Sequence, residues 1–368
     1  MTVQLSERAG EINSANKAQV SQGLSIQNYC QSVKSQPNVN FAGFPGLQRY
    51  ETEINTGLGR AQAHADTYLN ILQPQILANI ANISNYYALH NAVPIVLPSG
   101  STEEKWIEVL TALQEMAARY QGTAEATVIS INGLYNNLTE DARSFAQTVT
   151  HLNVAVEGSD GVLHSLDQRL KQLESEIDGT IAGIVVSGLA IVGGIFITAV
   201  GSIASFVTAG TSLVLVAGGV AMTVAGVGGT AAASLALKGM YTAKADLLTS
   251  KIQLTSEVRL AQGISLAFSD LGGKVGEAIT SARQMSTAWS LLGSDLGTLS
   301  ENLKKGIESA DSIRTLFLTA ADSQLQNQVV TDIATIKQQM TGVIQIPGES
   351  GRTMAETIDA LERQVARV

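Results

Sequence analysis

The sequence predicts an all-α protein, an elongated tail bundle of about five long helices that carries a hydrophobic two-helix hairpin as its head. Three observations predict it. Pro37, Pro45, Pro74, Pro94 and Pro98 all precede Ser99, and no proline follows until Pro347; proline breaks helix interiors, so its absence leaves room for long uninterrupted helices. Apolar residues recur at intervals of three and four, the spacing of one helix face, along most of the polar sequence. Between Gly179 and Leu237 there is no Asp, Glu, Lys, Arg or His.

The tail elements follow in chain order. Glu11 to Lys34 reads as a helix, and Gln36 to Gly46, with two prolines and two glycines, as a loop. Leu47 to Leu89 is helical again, with a kink expected at Pro74, and Asn91 to Ser101, holding Pro94 and Pro98, reads as a turn. Ser101 then caps a long helix, with Glu104 three residues on to complete a capping box. Its apolar face is Ile131, Leu134, Leu138, Phe145, Val149, Leu152 and Val156, and Gly158-Ser159-Asp160-Gly161 ends it. Leu163, Leu166, Leu170, Leu173 and Ile177 alternate steps of three and four, as in a coiled coil. After the uncharged block the same spacing returns in Met285, Trp289, Leu292, Leu296, Leu299, Leu303, Ile307, Ala310 and Ile313, with Gly272-Gly273 expected to interrupt the helix before them. Ile346 to Gly351 reads as a loop and Thr353 to Val368 as a closing helix.

The uncharged block divides the chain into 1–178, a first part of the tail, 179–237, the head, and 238–368, a second part of the tail. A helix that spans a bilayer needs about 20 apolar residues. The block therefore suits two such helices, Ile181 to Val207 and Leu213 to Leu237, joined by Thr208 to Ser212 with Ala209, Gly210 and Thr211 at the turn. The side chains expected to enter lipid are Ile181, Ile184, Val185, Leu189, Ile191, Val192, Ile195, Phe196, Ile197, Val200, Ile203 and Phe206 on the first span. On the second they are Leu213, Val214, Leu215, Val216, Val220, Met222, Val224 and Val227. Ala217, Ala221, Ala225, Gly229 and Ala233 repeat every fourth residue, a stripe that lets helices approach closely in lipid. The turn carries no charge, and each charge dragged to mid-bilayer would cost about 2.5–3.5 kcal/mol, so this tip can cross a membrane from one side.

The block holds 24 large apolar side chains (Val, Ile, Leu, Phe, Met). At roughly 1.5 kcal/mol each, leaving them all in water would cost on the order of 36 kcal/mol, more than the roughly 5–15 kcal/mol that holds a domain folded. A water-soluble form must hide them, and a second form must release them, pivoting at Gly158, Gly161, Gly239, Gly272 and Gly273. The block is apolar nearly all round, with only Ser187, Thr198, Ser202 and Ser205 as a thin polar stripe. A ring of such hairpins alone makes a poorly wetted channel, which calls for an amphipathic partner subunit to line it.

The arrangement of an uncharged central hairpin between long heptad-bearing helices (Ser101 to Val156, Leu163 to Ile177, Ala278 to Met340) resembles the cytolysin A family of α-pore-forming toxins. Within it, the likeness is nearest to the B component of tripartite haemolysins related to haemolysin BL, and it covers nearly the whole chain as architecture. The resemblance implies a five-helix tail, a membrane-inserting head at Ile181 to Leu237, and a pore assembled with sister components as a homo- or hetero-oligomer in the target-cell bilayer. Two other readings compete: a translocator of a type III-like secretion system with two transmembrane helices, and a constitutive two-pass membrane protein.

Charge and motifs narrow the rest. The net charge is −9 and the pI about 5.0, which excludes a basic footprint for nucleic acid and leaves apolar burial, not charge attraction, to drive any membrane contact. The polar start, Met1 to Arg8, lacks the apolar core of a secretory signal peptide, so export by another route or by lysis is expected. Gly226 to Ala231 matches the dinucleotide-binding spacing G-x-G-x-x-A, but lies inside the apolar block with no alternating strands and helices around it; glycines for helix packing are the better reading. His64, His90, His151 and His164 have no partner at metal-ligand spacing, and Cys30, the only cysteine, lies in no nucleophile motif. No cofactor, metal or enzymatic activity is expected. Tyr241 reads equally as a headgroup anchor or a packed core residue, and Ile95-Val96-Leu97 as a plain turn.

Overall fold

The computed structural model describes residues 5–35, 48–155, 256–321 and 343–347 almost continuously, with short stretches at 38, 168–169, 171–173, 175–176, 195–198, 205–209, 212–216, 219–224, 239–240, 243, 333, 337 and 340. Long helices dominate: α1 (Leu5–Ser35), α2 (Gln48–Thr67), α3 (Gln73–Val96), α4 (Glu103–Ala155), α5 (Ser256–Lys304) and the shorter α6 (Ala310–Ala321). The expected helical bundle is what these residues build.

Several boundaries differ from the sequence reading, each for a local reason. Instead of a sharp kink at Pro74, a π-helical turn, Tyr68–Leu72, joins α2 to α3, and the Gln73 N–H donates to the Tyr68 carbonyl. A proline has no N–H for the usual bond one turn back, and the wider turn absorbs that loss without ending the helix. Pro94 likewise sits inside α3, which continues to Val96, so the turn expected from Asn91 starts only at Leu97. Ile95 and Val96 are exposed and Leu97 is buried. Ser101 does not cap α4: its hydroxyl donates back to the Pro98 carbonyl at 2.7 Å. The first intrahelical acceptor is the Thr102 carbonyl, bonded by the Trp106 N–H at 3.3 Å. The Glu104 carboxyl is held below its usual range, first by its own backbone N–H and then by the Thr102 side chain. α5 runs unbroken through Gly272 and Gly273, whereas the spacing read as continuous from Met285 to Ile313 breaks after Lys304. There Gly306 takes a left-handed φ of 65°, a conformation glycine enters without strain, and Ile307 is exposed although Leu303 before it and Ile313 beyond it are buried.

The helices form two compact units. One comprises Met1–Val20, Pro74–Ile131 and Glu277–Lys337. Its core is aromatic: Trp289 meets Tyr86 and Tyr120 edge-on at 5.4 and 5.1 Å, Trp106 lies 5.7 Å from Phe317, and His90 stacks on Phe317 at 4.5 Å. α4 and α5 run antiparallel there, Gln114 against Gly297 and Ala117 against Gly293, while Arg8 is bonded to Asp295 at 2.7 Å and Asn79 to Thr127 at 3.0 Å.

The other unit comprises Ser21–Gln73, Asn132–Gly276 and Gln338–Val368. In it α2 and the later half of α4 close like a zip. The Tyr50 hydroxyl donates to the His151 carbonyl at 3.1 Å, Thr148 to Glu53 at 3.3 Å, and Arg60 to Ser144 at 3.1 Å. His64 lies 2.6 Å from Asp141, and a Cβ on Gly57 would come within 3.1 Å of the Phe145 ring. The expected α4 face is the buried one, from Ile131 through Leu134, Leu138, Phe145 and Val149 to Leu152. Val156, Leu163, Leu166, Leu170, Ile177 and 353–368 lie outside the described residues; Leu173 is helical and half-buried.

Candidate membrane-inserting segment

The described residues of the uncharged block are strands; the sequence alone leaves a helical or a partly extended hidden hairpin open, and the two helices read from it are bilayer spans. They are β1 (Ile195–Thr198), β2 (Ser205–Ala209), β3 (Ser212–Val216) and β4 (Gly219–Val224). β2 and β3 form an antiparallel pair from Ser205↔Val216 to Ala209↔Ser212, so the chain reverses between Ala209 and Ser212. β1 and β4 bracket this hairpin in sequence and pair from Ile195↔Val224 to Thr198↔Ala221. A fifth strand, β5 (Val343–Pro347), comes from far outside the block, where a loop was expected from Ile346, and pairs with the other edge of β4, from Thr223↔Val343 to Gly219↔Pro347. The sheet order is β1-β4-β5. In this register Ile195, Ile197, Val220, Met222, Val224, Ile344 and Ile346 occupy positions of one parity, while the opposite parity holds Phe196, Thr198, Gly219, Ala221, Thr223, Val343, Gln345 and Pro347.

The physical reason for the strand outcome lies in composition. An apolar run without polar interruptions has no helical period to read, and short apolar segments rich in Val, Ile, Phe and Thr suit strands as well as buried helices. In water, pairing also satisfies the backbone of glycine-rich sequence that makes a poor helix.

The segment leading into β5 is fixed to the helices. The buried Met340 carbonyl accepts hydrogen bonds from the Gln27 side-chain amide on α1 at 3.3 Å and from the Gln73 amide, at the start of α3, at 3.0 Å. Close by in sequence, the Tyr68 hydroxyl donates to the Gly23 carbonyl at 2.7 Å. Asp141, facing His64 and Arg60, has a carboxyl raised above its usual range because burial outweighs those two partners. The buried Cys30 thiol is raised by desolvation, the opposite of an activated nucleophile.

The expected lipid-facing residues divide as follows. Ile195, Phe196 and Ile197 are in β1, Phe206 in β2, Leu213, Val214, Leu215 and Val216 in β3, and Val220, Met222 and Val224 in β4, with Ala221 of the small-residue stripe. Ala209 closes β2. Ile181, Ile184, Val185, Leu189, Ile191, Val192, Val200, Ile203, Val227, Gly210, Thr211, Ala217, Ala225, Gly229 and Ala233 lie outside the described residues, as do Gly158 and Gly161. Of the expected pivots, Gly239 is helical and Gly272 and Gly273 lie within α5. Among the described residues no helix is long and apolar enough to cross a membrane, and no three His, Cys, Asp or Glu side chains gather as a metal site. His90 is buried, and desolvation pulls its pKa down to about 4. Gly226 to Ala231, His164 and Tyr241 are outside the described residues.

Sequence reasoning missed β5 and its anchor. The alternation Val343-Ile344-Gln345-Ile346-Pro347 was a strand signal, with the proline at its end. Nothing marked Gln27 or Gln73, which resemble any polar residue of a helix.

Comparison with known proteins completes the description. Residues 6–180 match the family model of the Bacillus haemolytic enterotoxin (HBL). No curated protein matches the chain. Among solved structures, soluble AhlB of the tripartite alpha-pore forming toxin AHL from Aeromonas hydrophila is 45% identical, with 96% of this chain and 99% of that one covered and a TM-score of 0.82. Soluble SmhB of the tripartite toxin Smh from Serratia marcescens is 38% identical, with 97% and 99% covered and a TM-score of 0.84. The AhlB pore is 41% identical, with 92% and 99% covered, yet its TM-score falls to 0.63.

Proposed function

This chain belongs to the family of tripartite α-pore-forming toxin components that includes AhlB and SmhB, and we propose from that premise that it is the B component of such a toxin. It passes from a water-soluble form to a membrane-inserted form and assembles with sister components into a lytic pore. One observation carries the reading. A single relative, AhlB, matches this chain at similar identity in its soluble and pore forms, but the shape agrees at 0.82 with the first and only 0.63 with the second. The fold described above is the soluble state of a protein with two.

Residues 179–237 are the inserting head, and 1–178 and 238–368 the tail. The strands support this division. They are 4 to 6 residues long, whereas a strand that crosses a bilayer needs about 9–11, and an open sheet edge in hydrocarbon leaves backbone groups unpaired. The inserted head is therefore refolded, and the uncharged block is long enough for two helical spans with the reversal at Ala209 to Ser212. The apolar residues named for each span enter lipid, the small residues from Ala217 to Ala233 pack the two spans together, and the pivots are Gly158, Gly161, Gly239, Gly272 and Gly273. An amphipathic sister subunit supplies the wetted lining. The action is insertion, not catalysis. The protein works outside its producing cell.

The test is dye release from liposomes by the purified chain, with and without the proteins encoded beside it. Release that needs the neighbours, and that a disulfide between head and tail abolishes, supports the reading. No release under any combination rejects it.

A further inference from the structure

We infer that β5, anchored at Met340, is a strap that holds the head in its soluble form, and that Gln27 and Gln73 set how readily it lets go. The inference deepens the pore-forming reading and rests on it. β4 is paired on both edges: β1 on one side belongs to the same apolar block, but β5 on the other belongs to the C-terminal part of the chain. When the block refolds into lipid, β1 travels with β4. β5 does not, because its short apolar run is flanked by Lys337 on one side and Glu349 and Arg352 on the other, and charges so close hold it out of hydrocarbon. Every backbone bond between β4 and β5 must therefore break before the head enters a membrane.

The anchor of the strap lies three residues before β5. The Met340 carbonyl, fully buried, accepts from two side-chain amides, Gln27 at 3.3 Å and Gln73 at 3.0 Å. A carbonyl can take two donors, and a buried one left with neither loses both bonds and gains no water in return. Gln73 also ends the π-helical turn that accommodates Pro74. The two amides thus tie α1, the α2–α3 junction and the strap to a single oxygen.

The full-length chain serves for both halves of the test. In Thr223→Cys/Val343→Cys the two thiols occupy directly opposed positions of β4 and β5, where Cα atoms of an antiparallel pair lie within disulfide range; the natural Cys30 is buried. The oxidised protein is compared with the same preparation after reduction, on phosphatidylcholine–phosphatidylethanolamine liposomes with the neighbouring proteins added. Insertion, read by resistance to carbonate extraction, is expected to fall at least tenfold on oxidation and to return on reduction; equal insertion in both states overturns the strap. Gln27→Leu/Gln73→Leu is read without membranes, by hydrogen exchange of the β4 and β5 amides: about tenfold faster exchange is expected, and unchanged exchange overturns the anchor. Should the wild-type chain never insert, the pore-forming reading fails, while the exchange measurement still decides whether the two glutamines secure the strap.

Discussion

His90 has its ring stacked 4.5 Å from Phe317 in a core of tyrosines and tryptophans, buried enough that its pKa sits at about 4 rather than 6.5. The unfolded chain therefore takes up this proton at a higher pH than the folded one, and stability drains away as pH falls from 6.5 toward 4. The size of the shift corresponds to about 3 kcal/mol. Urea unfolding across that range is expected to show the loss, and His90→Phe, which keeps the stack and cannot titrate, to flatten it; a variant with the wild-type pH slope would show that other groups govern it. A second residue-scale outcome concerns Gly57, where a Cβ would stand 3.1 Å from the Phe145 ring. Gly57→Val overfills that contact and is expected to cost about 1–3 kcal/mol by chemical denaturation. Phe145 was legible from the sequence as a core position, because helical period marks buried apolar residues. Gly57 was not, because a glycine carries no sign of what presses on it.

At the scale of elements, the helical period revealed α4 and most of α5 but misplaced their ends and breaks. Gly272-Gly273 reads as an interruption, yet α5 passes through it, since packing of the rest of a long helix outweighs the roughly 1 kcal/mol per residue by which glycine disfavours helix. A Cβ at either position meets nothing within 4 Å, so Gly272→Ala/Gly273→Ala is expected to stabilise the soluble fold by about 1–2 kcal/mol in total. If this pair is a pivot of the transition, the same variant should release liposome dye more slowly than wild type; a stabilised protein with undiminished release rate would place the pivot elsewhere. The strands were the opposite case. The uncharged block announced its burial but not its secondary structure, because an unbroken apolar run has no period to separate helix from strand and its composition suits both. In the soluble fold β4 pairs with β5, a partner distant in sequence that local reading does not reach.

For the whole molecule, the same residues must satisfy two solvents, and composition is where both demands meet. Water requires that the apolar block be paired and covered, which the strands begin to do; lipid requires that nothing in it carry charge, which the sequence shows from Gly179 to Leu237. The second demand is invisible in the soluble fold and can be tested separately from it. The chain reverses between Ala209 and Ser212, and in the proposed inserted hairpin this reversal would lead the way across the bilayer. Thr211→Asp leaves Gly210 in place and puts a residue common in tight turns beside it, so melting of the soluble form is expected to stay within about 0.5 kcal/mol of wild type. Its carboxylate must nevertheless pass mid-bilayer at a cost of about 2.5–3.5 kcal/mol, which is roughly two orders of magnitude in insertion rate. Dye release by Thr211→Asp should fall accordingly and recover in part at low pH, where the carboxyl is neutral, while Thr211→Asn should behave as wild type. Equal release by Asp and Asn at neutral pH would mean that this turn never crosses the membrane, and the tip of the inserting head would have to be sought elsewhere in the block.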